Sequence, residues 1–217
     1  AGPEISVAST KAVISQMTVL ALIALTLGRQ KGLSTTDGQE IVQELTRLPA
    51  LAREILSRRE HIQAVAKKYV SVENAFYLGR KFQCPIAYEG AIKLKELAYV
   101  HAEGYASGEM KHGPIALIEP SFLSVVLVPG DSMYEKSKSN IQEIKARGGT
   151  VIAITTDGSE DDLTGLADDI ISVPAAHEAL LPVLTAIPVQ LFAYYVALER
   201  GLPIDQPRNL AKSVTVE

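Results

Sequence analysis

The chain has 217 residues, about 1.4 domain equivalents if one domain takes roughly 150 residues. Its 47% hydrophobic and 21% charged residues are the composition of a core-forming protein, which excludes disorder over most of its length. The net charge of −4 offers no basic field for nucleic acid or an anionic membrane. The single Cys excludes a disulfide scaffold or a cysteine-rich zinc module and suits a reducing cytoplasm.

In chain order, Ser9 and Thr10 offer N-cap chemistry for a helix of about 20 residues that ends near Gly28–Gly32. Its apolar run Met17–Leu27 is short of the roughly 20 residues that cross a bilayer, so no membrane segment is expected. The chain opens Ala1-Gly2-Pro3-Glu4 without an initiator Met and enters this helix almost at once, which suggests the C-terminal portion of a longer polypeptide. Residues 39–70 read as helix broken near Pro49, with Ile41, Leu45, Leu48, Leu51 and Ile55 at three-to-four spacing.

From Ser71 the texture changes. Ala75–Gly79, Phe122–Pro129, Val151–Thr155 and Ile170–Pro174 are short apolar runs that read as strands, the second and third of them β-branched. Pro85–Ala106 reads as one long helix, Asp131–Arg147 as a polar-faced helix, and Leu180–Arg200 as an apolar helix stopped by Gly201 and Pro203. Strands alternating with helices predict parallel βαβ units, hence an α/β fold: a three-layer α/β/α sandwich with a flavodoxin-like parallel sheet. It would fill residues 71–217, with 1–70 holding helices left from a preceding domain plus a connector.

The densest polar cluster is Glu89–Glu96. On a helix, Glu89, Lys93 and Glu96 share one face. One reading is a solvated salt-bridge face worth a few tenths of a kcal/mol. The other is a carboxylate base with a cation beside it, able to steady an enediolate. Glu103–Pro114 reads as a structured polar loop in which His112, a side chain suited to acid–base transfer, stands beside a rigid Gly-Pro. His101 and His112 lack a third well-spaced ligand, so no metal is expected. Ser6–Lys11 reads as helix capping or as an anion site. Gly130-Asp131-Ser132 reads as a cap. In the tail, Lys212 can meet a carbonyl as an amine nucleophile.

Three segments carry a resemblance: Glu4–Ala12 (EISVASTKA), Glu89–Leu117 (EGAIKLKELAYVHAEGYASGEMKHGPIAL) and the tail Asp205–Glu217 (DQPRNLAKSVTVE). Collinearly, and over essentially the whole chain, they resemble the C-terminal end of the glutamine–fructose-6-phosphate aminotransferase (glucosamine-6-phosphate synthase) family. The resemblance implies the end of an isomerase half built from two SIS domains, of which 71–217 would be the complete second one and 1–70 the trailing helices of the first plus a connector. It implies an enzyme that converts fructose 6-phosphate and glutamine-derived ammonia to glucosamine 6-phosphate in the cytoplasm, as a homodimer, with a glutaminase domain in the same polypeptide and no cofactor. By motif match, Glu96 would move the proton between C1 and C2 with Lys93 assisting. His112 would open the sugar ring in the neighbouring subunit's site. Lys212 would form an imine with the open-chain ketose, and Val7, Ser9 and Ala211 would line the sugar site. The family's phosphate-binding Ser/Thr loop is missing from this chain, so little or no activity is expected from it alone. The alternative reading is a SIS module that binds a phosphosugar without turnover.

Overall fold

The computed structural model describes residues 1–211. Three helices come first: α1 (Lys11–Gln30), α2 (Thr35–Ser57) and α3 (Arg59–Lys68). Then β1 (Asn74–Gly79), α4 (Cys84–Ala98), β2 (His101–Ala106), β3 (Leu123–Leu127), α5 (Tyr134–Lys145), β4 (Thr150–Thr156), β5 (Asp169–Val173) and α6 (Leu181–Glu199) build an α/β unit. All five strands are parallel in the order β2-β1-β3-β4-β5, the doubly wound order expected.

Period-two alternation sorts the strand side chains onto two cores. Tyr77, Val125, Ile152, Ile154 and Val173 face the cluster shared with α2, α3, α4 and α6. Phe76, Leu78, Val126, Val151 and Ala153 face the one beneath α5. The sheet is thus covered on both faces, which is why its strands β1, β3 and β4 read as near-continuous apolar runs.

The structure corrects three boundaries. The helix expected over Pro85–Ala106 ends at Ala98, and a fifth strand, β2, follows. Tyr99 closes α4 in the left-handed region (φ 56°, ψ 31°), and the Arg200 guanidinium donates to the freed Ala98 carbonyl at 2.6 Å. β2 is an edge strand with only Ala102 fully buried, so it has no apolar run to announce it. Pro49 does not break α2: the apolar face Leu48, Leu51, Ile55 stays buried across it, and that packing outweighs one lost backbone hydrogen bond. The chain turns instead at Arg58, whose guanidinium binds both oxygens of Asp157 beyond β4 at 2.6 and 2.8 Å. Finally, Thr10 is the N-cap residue of α1, but its side chain makes no cap hydrogen bond. The Glu4 carboxylate accepts from the Thr10 and Ala12 backbone N–H groups at 3.2 and 3.3 Å, so a side chain takes the place of any anion there.

By length and composition alone, α1 and α6 are each apolar enough to cross a membrane. α6 is a core helix, 78% of that stretch being buried, whereas no part of α1 is. α1 leans Ile14, Met17 and Ala21 on the core and exposes Val19, Leu20, Leu22, Ile23 and Leu27.

Candidate active site

α4 lies against the sheet at van der Waals distance because two glycines allow it. A Cβ on Gly90 would fall 2.4 Å from Cε1 of Tyr77, and one on Gly104 would fall 2.8 Å from Cα of Tyr88. Pressed between β1, β2 and α6, the helix turns Lys93 inward, so that only 4% of that residue is exposed. Its Nζ donates to Glu96 Oε2 at 2.8 Å, and the Glu96 side chain is 25% exposed. The reading of this face as a solvated salt bridge is overturned by that burial. A lysine stripped of water loses several kcal/mol of hydration and needs its carboxylate.

The third member of the face, Glu89, sits one turn earlier. Its Oε1 accepts from Nε2 of Gln190 on α6 at 2.9 Å. Burial holds the Glu89 carboxyl above its usual range, and the Gln190 hydrogen bond and the Lys93 charge offset this only in part.

Glu96 opens onto a cleft of about 250 Å³, lined also by Ile92, Lys95, Tyr99, Arg208, Asn209 and Leu210. Tyr99 moors the tail there. Its hydroxyl accepts the Arg208 backbone N–H at 2.8 Å, and the Arg208 guanidinium lies 4.2 Å from the centre of its ring. The N-terminal segment joins the tail as well: the Val7 N–H donates to the Asp205 carbonyl at 2.9 Å and the Ser6 hydroxyl to that of Ile204 at 3.4 Å. Ser9, next along, donates to Glu4 Oε1 at 3.2 Å. Ala211 is exposed at the end of the described residues, and Lys212 lies outside them. A larger cavity of about 590 Å³ between α1, α4 and α6 is apolar, with Lys81 its one charged lining residue, and holds no acid–base pair.

His112 stands apart. It is exposed at the end of a 3-10 turn, Ser107–His112, that leaves the carboxyl end of β2. Glu96 lies twelve residues into α4, about 18 Å along the axis, and α4 runs back from the carboxyl edge of the sheet to the amino edge. Within one chain, His112 and Glu96 therefore occupy opposite edges. His101 and His112 likewise flank β2 at its two ends, which separates the two histidines considered as a metal pair. The residues that sequence reasoning missed are Tyr99, Arg208 and Gln190. The last had a signal, a single amide inside the apolar run Leu181–Leu198.

A doubly wound parallel sheet whose first crossover helix buries a lysine ion-paired to a glutamate defines an α/β domain of the flavodoxin-like class. The SIS domain model matches residues 68–200, and the chain belongs to that family. Over its whole length the chain is 51% identical to glutamine–fructose-6-phosphate aminotransferase [isomerizing] of Thermus thermophilus and 50% identical to that of Bacteroides thetaiotaomicron. It spans only 36% and 35% of those proteins. The C-terminal domain of glucosamine-fructose-6-phosphate aminotransferase from Francisella tularensis superposes with a TM-score of 0.90 at 37% identity, over 95% of this chain and 58% of that one. Glucosamine-6-phosphate deaminase from Thermotoga maritima, at 22% identity, TM-score 0.66, and coverage of 97% of this chain and 58% of that one, shares the fold.

Proposed function

We propose that this chain is the C-terminal part of the isomerase half of a glucosamine-6-phosphate synthase, acting in the cytoplasm on fructose 6-phosphate with ammonia drawn from glutamine. The observation that carries the reading is the buried Lys93–Glu96 pair opening onto a cleft walled by the tail. In this mechanism the Glu96 carboxylate takes the proton from C1 of the open-chain sugar and returns it at C2. The Lys93 ammonium, 2.8 Å away, offsets the negative charge that the enediolate develops. Lys212, which lies outside the described residues, is the amine that forms an imine with the ketose carbonyl, releasing water, and ammonia then displaces that amine at C2. Val7, Ser9 and Ala211 line the sugar.

His112 acts in the site of a second copy. The opposite-edge placement of His112 and Glu96 supports this, since one chain does not offer both to one sugar. The enzyme then works as a homodimer, with the glutaminase domain in the same parent polypeptide. Residues 1–70 are the trailing helices of the preceding SIS domain and a connector, and 71–217 the second domain; the uncovered apolar side of α1 supports this division.

The test follows glucose 6-phosphate formed from fructose 6-phosphate. The full-length parent should turn over, and the 217-residue chain, without the phosphate-binding loop, should be weakly active or inactive. Turnover of the chain equal to that of a full isomerase half would overturn the dependence on the upstream loop. In the parent, Glu96→Gln should abolish isomerisation and leave glutamine hydrolysis intact; persisting sugar turnover would remove Glu96 as the base.

A further inference from the structure

α6 is apolar on almost every face, and Gln190 and Thr185 are its buried polar side chains. Thr185 has an ordinary place, its hydroxyl bonded to Gln83 Oε1 at 2.7 Å and to the Leu181 carbonyl at 3.1 Å. Gln190, 7% exposed, instead reaches across to α4 and donates to Glu89. An amide buried in a helix–helix contact costs stability that a Met or Leu at the same place would not. Packing alone gives no reason for it.

The partner explains it. Lys93 lies between two carboxylates on one helix face, Glu96 in hydrogen-bond contact and Glu89 one turn earlier. When Glu96 takes a proton from carbon it becomes neutral, and Lys93 loses the charge that compensates its burial. A second carboxylate held in place preserves the cation through that step. We infer that Gln190 is a positioning residue of this site: by fixing Glu89 against α6 it keeps a negative charge beside Lys93 while Glu96 carries the substrate's proton. The inference rests on the reading of Glu96 as the proton-transfer base. Gln190 acts through Glu89 and Lys93. The groups that face Glu89 are Lys93 and Glu96 on its own helix and Gln190 on α6; from the sheet, the uncharged phenol of Tyr77 underlies the neighbouring Gly90.

In the full-length parent, Gln190→Met should lower kcat for fructose 6-phosphate isomerisation about tenfold, with KM changed by less than about twofold. The double variant Gln190→Met/Glu89→Gln should lose no more activity than Glu89→Gln alone, because the two residues act in series. In the 217-residue chain, carbon-13 NMR of the carboxyl groups should show the Glu89 titration midpoint rising on Gln190→Met, since the charged form loses a donor. A kcat within about twofold of the unsubstituted enzyme, losses that multiply in the double variant, or an unmoved Glu89 midpoint each overturn the inference. If Gln190→Met fails to fold, Gln190→Asn, too short to reach Glu89, takes its place in every arm. Should the unsubstituted parent fail to isomerise the sugar, the functional reading falls, and the NMR arm still decides whether Gln190 governs Glu89.

Discussion

Lys93 gives up its water to sit between α4 and α6, and its tolerance there depends on the carboxylates around it. Glu89 bears part of the cost. Its folded-state pKa is raised, so the native chain holds this proton more tightly than the unfolded chain. The stabilising contribution of such a group is present below the unfolded value and lost as pH rises through the folded one. At neutral pH the ionised, half-buried carboxylate therefore weighs against folding. Glu89→Gln should raise Tm near neutrality, and the gain should shrink and vanish as the pH falls into the usual carboxylate range. Thermal melts across that range check it. An equal gain at every pH would mean that the amide merely packs better. Of this site, the spacing of Glu89, Lys93 and Glu96 was legible, because i,i+3 and i,i+4 neighbours share a face whatever surrounds the helix. Their burial was not. It depends on α6, about a hundred residues away in sequence.

At the scale of elements, α4 is the piece that presents the site, and Gly90 lets it lie close to β1. In an exposed helix, Gly→Ala would stabilise by about 1 kcal/mol. Here the added methyl meets the Tyr77 ring, whose 0% exposure leaves it nowhere to go, and overpacking of this kind costs about 1–3 kcal/mol. Gly90→Ala should therefore lower Tm by several degrees, and Tyr77→Leu in the same chain should restore much of the loss; urea or thermal unfolding of the single and double variants measures both. The same element shows where the sequence could be read. β1, β3 and β4 declared themselves because strands inside a covered parallel sheet are apolar on both faces, and β5, although an edge, carries the apolar residues Ile170, Ile171 and Val173. β2 did not, because an edge strand that buries one residue fully looks like a continuation of the helix before it. The end of α4 was equally hidden. Its stop is a tyrosine in a backbone region that glycine usually takes, held by an arginine from the far end of α6.

At the scale of the whole molecule, the two sides of the sheet are unequal. α3, α4 and α6 form a thick layer with α1 and α2 stacked outside it, while α5 and the 3-10 turns form a thin one. α1 faces outward with a row of aliphatic side chains, two of them Leu20 at 62% and Ile23 at 49% exposure. Studied alone, the chain should associate with rising concentration, and Leu20→Glu/Ile23→Glu should suppress this without moving Tm by more than about 2 °C. Sedimentation velocity over a concentration series reads the outcome, and association unchanged by the two charges would exonerate this helix. The Arg200 clamp carries a consequence of another kind. Its guanidinium gathers the carbonyls of Val70, Val72 and Ala98, Gln190 holds Glu89, and Arg208 rests on Tyr99. All three arms come from residues 190–208, about a hundred positions after α4. A nascent polypeptide thus carries the Lys93–Glu96 pair without these three holds until that later stretch has been made.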